Sequence, residues 1–375
     1  MELALRGARI FTGDTFLDDH AVVIEGRHIV KLCPVGEIEP GTDARDLGGG
    51  LLAPGFIDVQ VNGGGGALLN DRPTVDTVRQ IAQSHRRFGT TGLLPTIITD
   101  APEILDSAIA AVAEARANLP NVLGIHIEGP FLDMARKGAH DPKFIRAMTQ
   151  ADADHILAIS CGSVMLTVAP NTVPQSFISW LAAHGILVSL GHAEARFDEA
   201  KAALAAGACA FTHLFNAMSQ MTGREPGMVG AALGDTASFI GIIADGFHVH
   251  DETLKISLRA TAPDRFMLVS DAMSSAAGGP SSFALQGRPV TLHDGRLQLD
   301  DGTLAGSNLT MDAALRNCIS NLGVPLGDAL RMTSLNPARF LRRAHELGRI
   351  VPGHLASLVH LDGQLNVSET WVEGA

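Results

Sequence analysis

Four residues carry side chains that together could bind a metal ion and move a proton. Glu128, His192 and His213 offer one carboxylate and two imidazoles, separated by 64 and 21 residues. This ligand set suits Zn²⁺, and three protein ligands leave one coordination position open. Asp271 is a candidate base, which would take a proton from a water activated by the metal and return it to the leaving group.

Each of these residues also has a structural interpretation. A single histidine at a strand end is often a hydrogen-bonded core residue, and aspartate commonly caps loops and helices. The long intervals match no local motif, so the metal hypothesis depends on a fold that brings the residues together. His126 shares the strand face of Glu128 because side chains alternate along a strand. We expect His126 to support the ligands rather than bind metal itself.

The elements that must position these residues are short apolar runs alternating with helical patterns. This rhythm predicts βα units and a parallel sheet covered on both faces. Eight units favour an α/β fold of the (β/α)8 TIM-barrel type, with a doubly wound sheet as the alternative. The predicted strands cover residues 56–61, 92–98, 122–128, 164–168, 187–192, 210–215, 239–245 and 266–271. The four candidate residues lie at the ends of these strands, where TIM-barrel active sites form.

The two ends of the chain read as β structure. We predict one small β-sandwich-like domain built from residues 1–53 and 346–375, packed on a barrel of residues 54–345. A β-hairpin is predicted at residues 289–301, with its turn at Asp294 and Gly295. The glycine run 63–66 lacks the Lys-Ser/Thr ending of a Walker loop, so we interpret it as a flexible active-site loop.

Composition limits the classes of partner. The chain has 28 basic and 40 acidic residues and a formal net charge of −12, so it has no general attraction for nucleic acid or anionic lipid. An anionic substrate would need a locally basic pocket. The four cysteines form no Cys-x-x-Cys pair, and no signal peptide or membrane-spanning run is recognisable. These features predict a cytoplasmic protein that does not bind membranes.

A series of motifs follows the predicted barrel in order. They are PGFIDVQVNG (54–63), HIEGPF (126–131), KGAH (137–140), GHAEA (191–195), THLFNAM (212–218), TGREPG (222–227), IADGFHV (243–249), VSDAM (269–273) and LAGS (304–307). Together they resemble the N-acetylglucosamine-6-phosphate deacetylases of the amidohydrolase superfamily. The resemblance implies metal-dependent hydrolysis of the substrate's acetamide in amino-sugar catabolism, with Glu128, His192 and His213 as metal ligands and Asp271 as general base and then acid.

The resemblance also implies the metal content. One divalent ion is expected, with Zn²⁺ as the first choice and Fe²⁺, Co²⁺ or Cd²⁺ as alternatives. Many amidohydrolases carry His-x-His on the first strand for a second metal, where this sequence has Gln60 and Asn62. Neutral amides are poor zinc ligands compared with imidazole. A single metal is therefore expected, with a weak second site near Gln60 and Asn62 left open.

Substrate contacts are implied in the same way. His140 is expected to polarise the acetyl carbonyl, and Arg224 and His248 resemble a phosphate-binding pair whose arginine fork matches phosphate geometry. The other implied contacts are Ala139, Asn216, Ala217, Leu304, Ala305 and Gly306. The resemblance further implies a homodimer in which the neighbouring subunit contributes to the phosphate site.

Three other functions are weighed against this one. The enzyme could be an N-acetylgalactosamine-6-phosphate deacetylase, because the two sugars differ at a single hydroxyl. Another amidohydrolase, such as a cyclic-amide hydrolase or deaminase, would commonly keep His-x-His and would not need Arg224. A non-catalytic barrel would be expected to lose the metal ligands or the base, and all of these residues are present.

Overall fold

The computed structural model describes residues 2–375. The strands are β1 (Glu2–Arg6), β2 (Arg9–Phe11), β3 (Phe16–Leu17), β4 (His20–Glu25), β5 (His28–Pro34), β6 (Asp43–Asp46), β7 (Leu51–Pro54), β8 (Phe56–Val61), β9 (Gly63–Gly64), β10 (Ala67–Leu68), β11 (Thr90–Ile98), β12 (Gly124–Glu128), β13 (Ser163–Val168), β14 (Leu187–Leu190), β15 (Ala210–Phe211), β16 (Phe239–Ile242), β17 (Phe266–Leu268), β18 (Ser282–Leu285), β19 (Arg288–His293), β20 (Arg296–Leu299), β21 (Leu358–Leu361) and β22 (Val367–Trp371).

Ten α-helices accompany these strands in the described part of the chain. They are α1 (Val75–Arg86), α2 (Pro102–Arg116), α3 (Gln150–Leu157), α4 (Gln175–Ala183), α5 (Phe197–Ala205), α6 (Gly227–Gly234), α7 (Asp251–Ala260), α8 (Met311–Ser320), α9 (Leu326–Thr333) and α10 (Leu335–Phe340). Within residues 2–375, none of the helices combines the length and apolar character needed to cross a membrane.

Eight parallel strands form the predicted barrel. They are hydrogen-bonded in the order β17-β16-β15-β14-β13-β12-β11-β8. The carboxyl end of β8 meets the segment that follows β17, where Asp271 N donates to Gln60 O and Asn62 N donates to Ala272 O, each at 2.9 Å. This seam nearly closes the sheet, so the TIM-barrel prediction is confirmed and the doubly wound alternative is excluded. Closure also brings the ends of β8 and β17 together at the barrel mouth.

Helix α1 illustrates why the outer layer forms. The side chain of Thr74 caps its first turn by accepting a hydrogen bond from Thr77 N at 3.3 Å. Val78 and Ile81 follow at helical spacing and are fully buried, whereas Asp76 and Arg79 lie on the outer face. Burial of such an apolar stripe against the sheet stabilises each βα unit.

Both ends of the chain contribute to small sheets beside the barrel. One sheet has the order β5-β4-β1-β6, and the other has the order β22-β21-β7-β2-β3. In the second sheet, β21 pairs antiparallel with β7, which leads directly into the first barrel strand. A separate apolar cluster, which includes Leu5, Ile29 and Trp371, fills this region. The domain limits at residues 53/54 and 345/346 stay predictions.

Two insertions near the mouth differ from the sequence-based picture. The predicted hairpin at 289–301 is present as β19 and β20, but β18 adds a third strand to it. Residues 63–68, expected to include a flexible loop, instead form a short antiparallel hairpin of β9 and β10. A Cβ at Gly65, whose φ is +60°, would lie 2.0 Å from Ser84 Oγ, so glycine is required at this tight turn.

Candidate active site

A cavity of about 390 Å³ opens at the carboxyl ends of the barrel strands. Most of the predicted site residues line it: Glu128, Ala139, His140, His192, His213, Asn216, Ala217, His248, Asp271, Leu304, Ala305 and Gly306. Asn62, Arg136, Met273 and Leu285 also contribute to its wall. The fold therefore gathers, at one end of the barrel, residues that are up to 244 positions apart, as Asn62 and Gly306 are.

The backbone leaves the strand conformation at three of these residues. His192, His213 and Asp271 have φ values of 47°, 34° and 51°, in the left-handed region that non-glycine residues rarely adopt. Strands β14, β15 and β17 therefore end two or three residues before them. Sparsely populated backbone conformations of this kind cluster at functional sites, where the surrounding structure enforces them.

The side chains of Glu128, His192 and His213 converge on one point. Glu128 Oε1 lies 3.2 Å from His192 Nε2 and 3.0 Å from His213 Nε2, and the two imidazole nitrogens are 3.1 Å apart. Ligands bound to Zn²⁺ at about 2.0–2.1 Å in a tetrahedron would be roughly 3.3 Å apart. Nδ1 of His192 donates a hydrogen bond to the carbonyl of Arg136 at 2.9 Å, so Nε2 is the ring nitrogen that would bind a cation. The donor set therefore fits a divalent cation.

Charge and burial compete at this triad. Burial alone would raise the pKa of Glu128, but hydrogen bonds from His192 and His213 hold that pKa well below its usual value. Burial opposes protonation of His213, yet the partner carboxylate raises the pKa of this imidazole above its usual value. A cation binding here displaces that proton, so metal binding and proton release are coupled.

His140 provides an alternative third ligand. Its nearest ring nitrogen and the ligand atoms of Glu128 and His192 all lie within 4.8 Å of one another. The set that contains His213 is more compact, and His140 already pairs through Nδ1 with Thr99 Oγ1 at 2.8 Å. Burial and the neighbouring His192 lower the pKa of His140 well below its usual value. The ring is thus a neutral group beside the triad.

Asp271 lies beside the triad and is held by two amides. Its Oδ1 accepts from Asn62 Nδ2 at 2.7 Å and from Gln60 Nε2 at 3.2 Å. Burial and then the charge of Glu128 raise the pKa of Asp271 to about 6. A carboxylate with raised proton affinity, next to a metal-type ligand set, has the properties of a general base that later acts as an acid.

The two residues expected to bind the phosphate lie apart in this chain. His248 lines the cavity, and its Nδ1 lies 2.7 Å from Asp245 Oδ2, which orients the ring. Asp245 Oδ1 also accepts from the backbone N–H groups of Phe247 and His248. Arg224, in contrast, is exposed on the loop before α6 and does not line the cavity. The structure does not bring Arg224 and His248 into the same pocket.

The segment Leu304–Gly306 closes one side of the cavity. Ala305 N donates to Leu297 O on β20 at 3.1 Å, and Ser307 N donates to the carbonyl of Asp271 at 2.8 Å. A Cβ at Gly306 would lie 2.8 Å from that carbonyl and 2.5 Å from Met273 Cγ. Glycine is therefore required for this close approach to the base.

His126 lies below the triad and contacts two threonines. Its Nδ1 is 3.3 Å from Thr96 Oγ1, and its Nε2 is 2.8 Å from Thr167 Oγ1. Burial lowers the pKa of His126 to about 4. Both ring nitrogens of His126 are therefore engaged by threonine hydroxyls.

Two family models together match residues 3–375 of the chain. The amidohydrolase family matches residues 51–375, and the NagA composite domain matches residues 3–52. This protein belongs to the amidohydrolase family. The amidohydrolase family is metal-dependent, which agrees with the Glu/His cluster described above.

Curated relatives of this amidohydrolase align over nearly its full length. A protein named N-acetylgalactosamine-6-phosphate deacetylase from Shewanella sp. (strain ANA-3) is 42% identical, covering 98% of this chain and 94% of its own. One named N-acetylglucosamine-6-phosphate deacetylase from Haemophilus influenzae is 35% identical, covering 100% and 99%. The crystal structure of N-acetylglucosamine-6-phosphate deacetylase from Pasteurella multocida superimposes with a TM-score of 0.97 at 34% identity, covering 100% of this chain and 99% of that one.

Some residues of this amidohydrolase site were not assigned a role from the sequence. The sequence indicates for Gln60 and Asn62 only that they replace metal ligands, yet in the structure they hold the candidate base. Thr99 and Asp245 orient His140 and His248. All four residues lie at the end of a barrel strand or within three residues beyond it. Position at a strand end is therefore the signal that could have identified them.

Proposed function

We propose that this amidohydrolase removes the acetyl group from N-acetylglucosamine-6-phosphate, yielding glucosamine-6-phosphate and acetate. The observation that carries the proposal is the convergence of Glu128, His192 and His213 opposite Asp271 in one cavity. Relatives and structural neighbours named for this activity support the substrate.

The proposed site binds one divalent cation through Glu128, His192 and His213. When bound, the cation would supply Lewis acidity to the acetamide carbonyl and to a nearby water. Zinc suits this ligand set best, and Fe²⁺, Co²⁺ and Cd²⁺ are the alternatives to be tested by metal analysis of the purified protein.

The protein's own groups account for the proton transfers. Asp271 accepts a proton as a water oxygen bonds to the carbonyl carbon. It then delivers that proton to the nitrogen as the C–N bond breaks, so amine and acetate leave and the carboxylate is regenerated. His140, held by Thr99, lies beside the triad, where it can contact the carbonyl. The same residues therefore serve both halves of the hydrolysis.

The epimeric N-acetylgalactosamine-6-phosphate is the second candidate substrate. The 42% identity to the Shewanella enzyme named for that sugar favours it, compared with 35% for the Haemophilus enzyme. Acetate release from both phosphorylated epimers, measured as kcat/KM with the Asp271→Asn variant as a blank, decides between them. If neither sugar released acetate, the proposed function would be refuted.

We further propose a homodimer in which Arg224 reaches the phosphate in the neighbouring subunit's cavity. Arg224 is exposed outside its own cavity, and Met221 on the same loop has an exposed fraction of 59%. An exposed arginine beside an exposed methionine suits an interface that also binds an anion.

Subunit mixing tests this arrangement. In a hybrid of Arg224→Ala and Asp271→Asn subunits, one site would combine a normal Asp271 with a normal Arg224 from across the interface. Random mixing should then restore about a quarter of wild-type activity, because half of the dimers are hybrids with one complete site each. No recovery would mean that Arg224 acts within its own subunit or not at all.

We also propose that the enzyme works in the cytoplasm. All four cysteines are unpaired, and three of them are buried. Free thiols are typical of proteins from reducing compartments. Fluorescence imaging of a tagged protein in its source cell would test the location.

A further inference from the structure

The two oxygens of Asp271 have different surroundings. Oδ1 accepts both amide hydrogen bonds, from Asn62 Nδ2 at 2.7 Å and from Gln60 Nε2 at 3.2 Å. Among the described residues, Oδ2 has no protein donor, and it is not among the buried polar atoms that lack a partner. Asp271 lines the cavity, so Oδ2 is the oxygen left available to substrate and water.

The orientation of both amides follows from their partners. An ionised carboxylate can only accept hydrogen bonds, so the amide atom that faces it must be the NH₂ group. Asn62 and Gln60 are almost completely buried, which fixes their side chains in this arrangement. Their nitrogens therefore point to Oδ1 of Asp271 and offset part of its negative charge.

Gln60 also connects the two carboxylates of the site. Its Nε2 lies 3.3 and 3.4 Å from the two oxygens of Glu128, as well as 3.2 Å from Asp271 Oδ1. Two buried carboxylates repel one another, and N–H groups placed between them offset part of that repulsion. The side-chain amide of Asn62 donates only to Asp271, so the two amides have separable tasks.

We propose that Asn62 and Gln60 are positioning residues that hold Oδ1 of Asp271 and so reserve Oδ2 for proton transfer. Gln60 in addition steadies Glu128 beside Asp271. The proposal rests on the proposed hydrolysis, in which the water proton passes to Oδ2 and from there to the leaving nitrogen. It adds two amide residues to those that take part in the reaction. It also gives a role to Gln60 and Asn62, which replace the His-x-His pair of many other amidohydrolases.

The first test replaces Asn62 by the isosteric Leu, with Asn62→Ala as a second variant if the first folds poorly. Loss of a hydrogen bond to a charged group should lower kcat by about 10- to 100-fold. KM for the phosphorylated sugar should change by less than about threefold, because neither amide is needed to bind the phosphate. Unchanged kcat in both folded variants would overturn the proposal.

A buried asparagine far from the site gives the matched control. Asn336 donates to the carbonyls of Pro263 and Phe266, at the opposite end of the strand that leads to Asp271. Asn336→Leu should lower the melting temperature without lowering kcat per folded molecule. If Asn62→Leu merely loses stability in the same way, Asn62 is a structural residue and the proposal is wrong.

A double-mutant cycle tests whether Asn62 acts through Asp271. In the Asp271→Asn background, Asn62→Leu should have no further effect on the residual rate, because the group it positions is already disabled. A further tenfold loss would overturn the proposal. If the wild-type enzyme hydrolysed neither sugar, the proposed hydrolysis itself would be wrong. Failure of the positioning proposal and failure of the proposed function are therefore distinguishable.

Metal content separates the tasks of the two amides. Gln60→Leu should weaken metal affinity about tenfold, because Glu128 loses its donor, whereas Asn62→Leu should keep its metal. Mass-spectrometric metal analysis after dialysis against a graded chelator gives this readout independently of turnover. Equal metal retention in both variants would refute the connecting role of Gln60.

Discussion

The hydroxyl of Thr99 lies 2.8 Å from Nδ1 of His140 and 3.2 Å from the backbone carbonyl of Glu128. One buried threonine therefore links the neutral histidine to the strand that carries a metal ligand. Such outer contacts hold reactive side chains in the geometry that the reaction needs.

Removal of this hydroxyl should impair the reaction without unfolding the protein. Thr99→Val keeps the shape of the side chain but no longer orients His140, so kcat/KM should fall by about tenfold. Thr99→Ser, which retains the hydroxyl, should restore most of the activity. Steady-state acetate release measures both, and equal activity of the two variants would contradict the orienting role.

Loss of His213 should remove the metal. Deleting one of three protein ligands is expected to weaken metal binding by more than about 100-fold. His126→Asn is the matched control, because His126 is equally buried in the barrel but contacts two threonines instead. Metal analysis of both variants in a chelating buffer tests the ligand assignment. A His213→Ala protein that keeps its metal while His126→Asn loses it would reverse that assignment.

Arg224 should determine the preference for a phosphorylated sugar. A charge-assisted contact contributes about 1.5–3 kcal/mol, so Arg224→Ala should reduce kcat/KM for the 6-phosphate by roughly 10- to 100-fold. Slow hydrolysis of the unphosphorylated sugar should remain nearly unchanged. The exposed Arg196, which pairs with Glu225 near the same loop, provides the control substitution Arg196→Ala. Equal losses on the two sugars would argue against a phosphate contact.

Asp58 should make stability depend on pH. Burial raises the pKa of Asp58 to about 7, although Ser270 and Gln60 donate hydrogen bonds to it. The folded protein thus holds this proton more tightly than the unfolded chain. The stability gained in this way is fully present below about pH 4 and is lost as the pH rises towards 7.

Asp58→Asn removes this titration. Relative to wild type, the variant should therefore be more stable by about 3 kcal/mol at pH 8 than it is at pH 5, because only the wild type loses stability over this range. Denaturant unfolding at the two pH values measures the difference, with the exposed Asp43→Asn as control. A pH-independent difference would mean that Asp58 is ionised in the folded protein throughout this range.

The barrel and the strand-end candidates Glu128, His192, His213 and Asp271 are predictable from the sequence, because apolar runs and strand-end residues are local signals, whereas the substrate contacts were implied only by the family resemblance. The lengths of the strands were harder to predict from the sequence. The apolar run at 210–215 predicts a six-residue strand, but β15 ends at Phe211 because His213 and Phe215 adopt left-handed backbone conformations. The residue types of that run do not predict the left-handed conformations, because contacts in the folded site enforce them.

Long-range contacts explain the remaining differences. The hairpin after β17 was recognisable from its Asp-Gly turn, but not its third strand. Nor was it predictable that Gln286 would donate to the carbonyl of Thr99 at 2.7 Å or that Arg288 would donate to Ala139 O at 2.5 Å. These bonds join residues that are about 150 to 190 positions apart. Similarly, the exposed position of Arg224 depends on the packing of the loop before α6 and not on its motif.

The pairing of β7 with β21 has a consequence for synthesis of the chain. Leu51–Pro54 emerges early, and its partner Leu358–Leu361 follows about 300 residues later. At roughly 5–20 residues per second, the ribosome takes between about 15 seconds and a minute to supply that partner. During this interval an apolar strand edge is open to unwanted pairing with other nascent chains. Ribosomes that stall before residue 358 would release a product with this edge permanently uncovered.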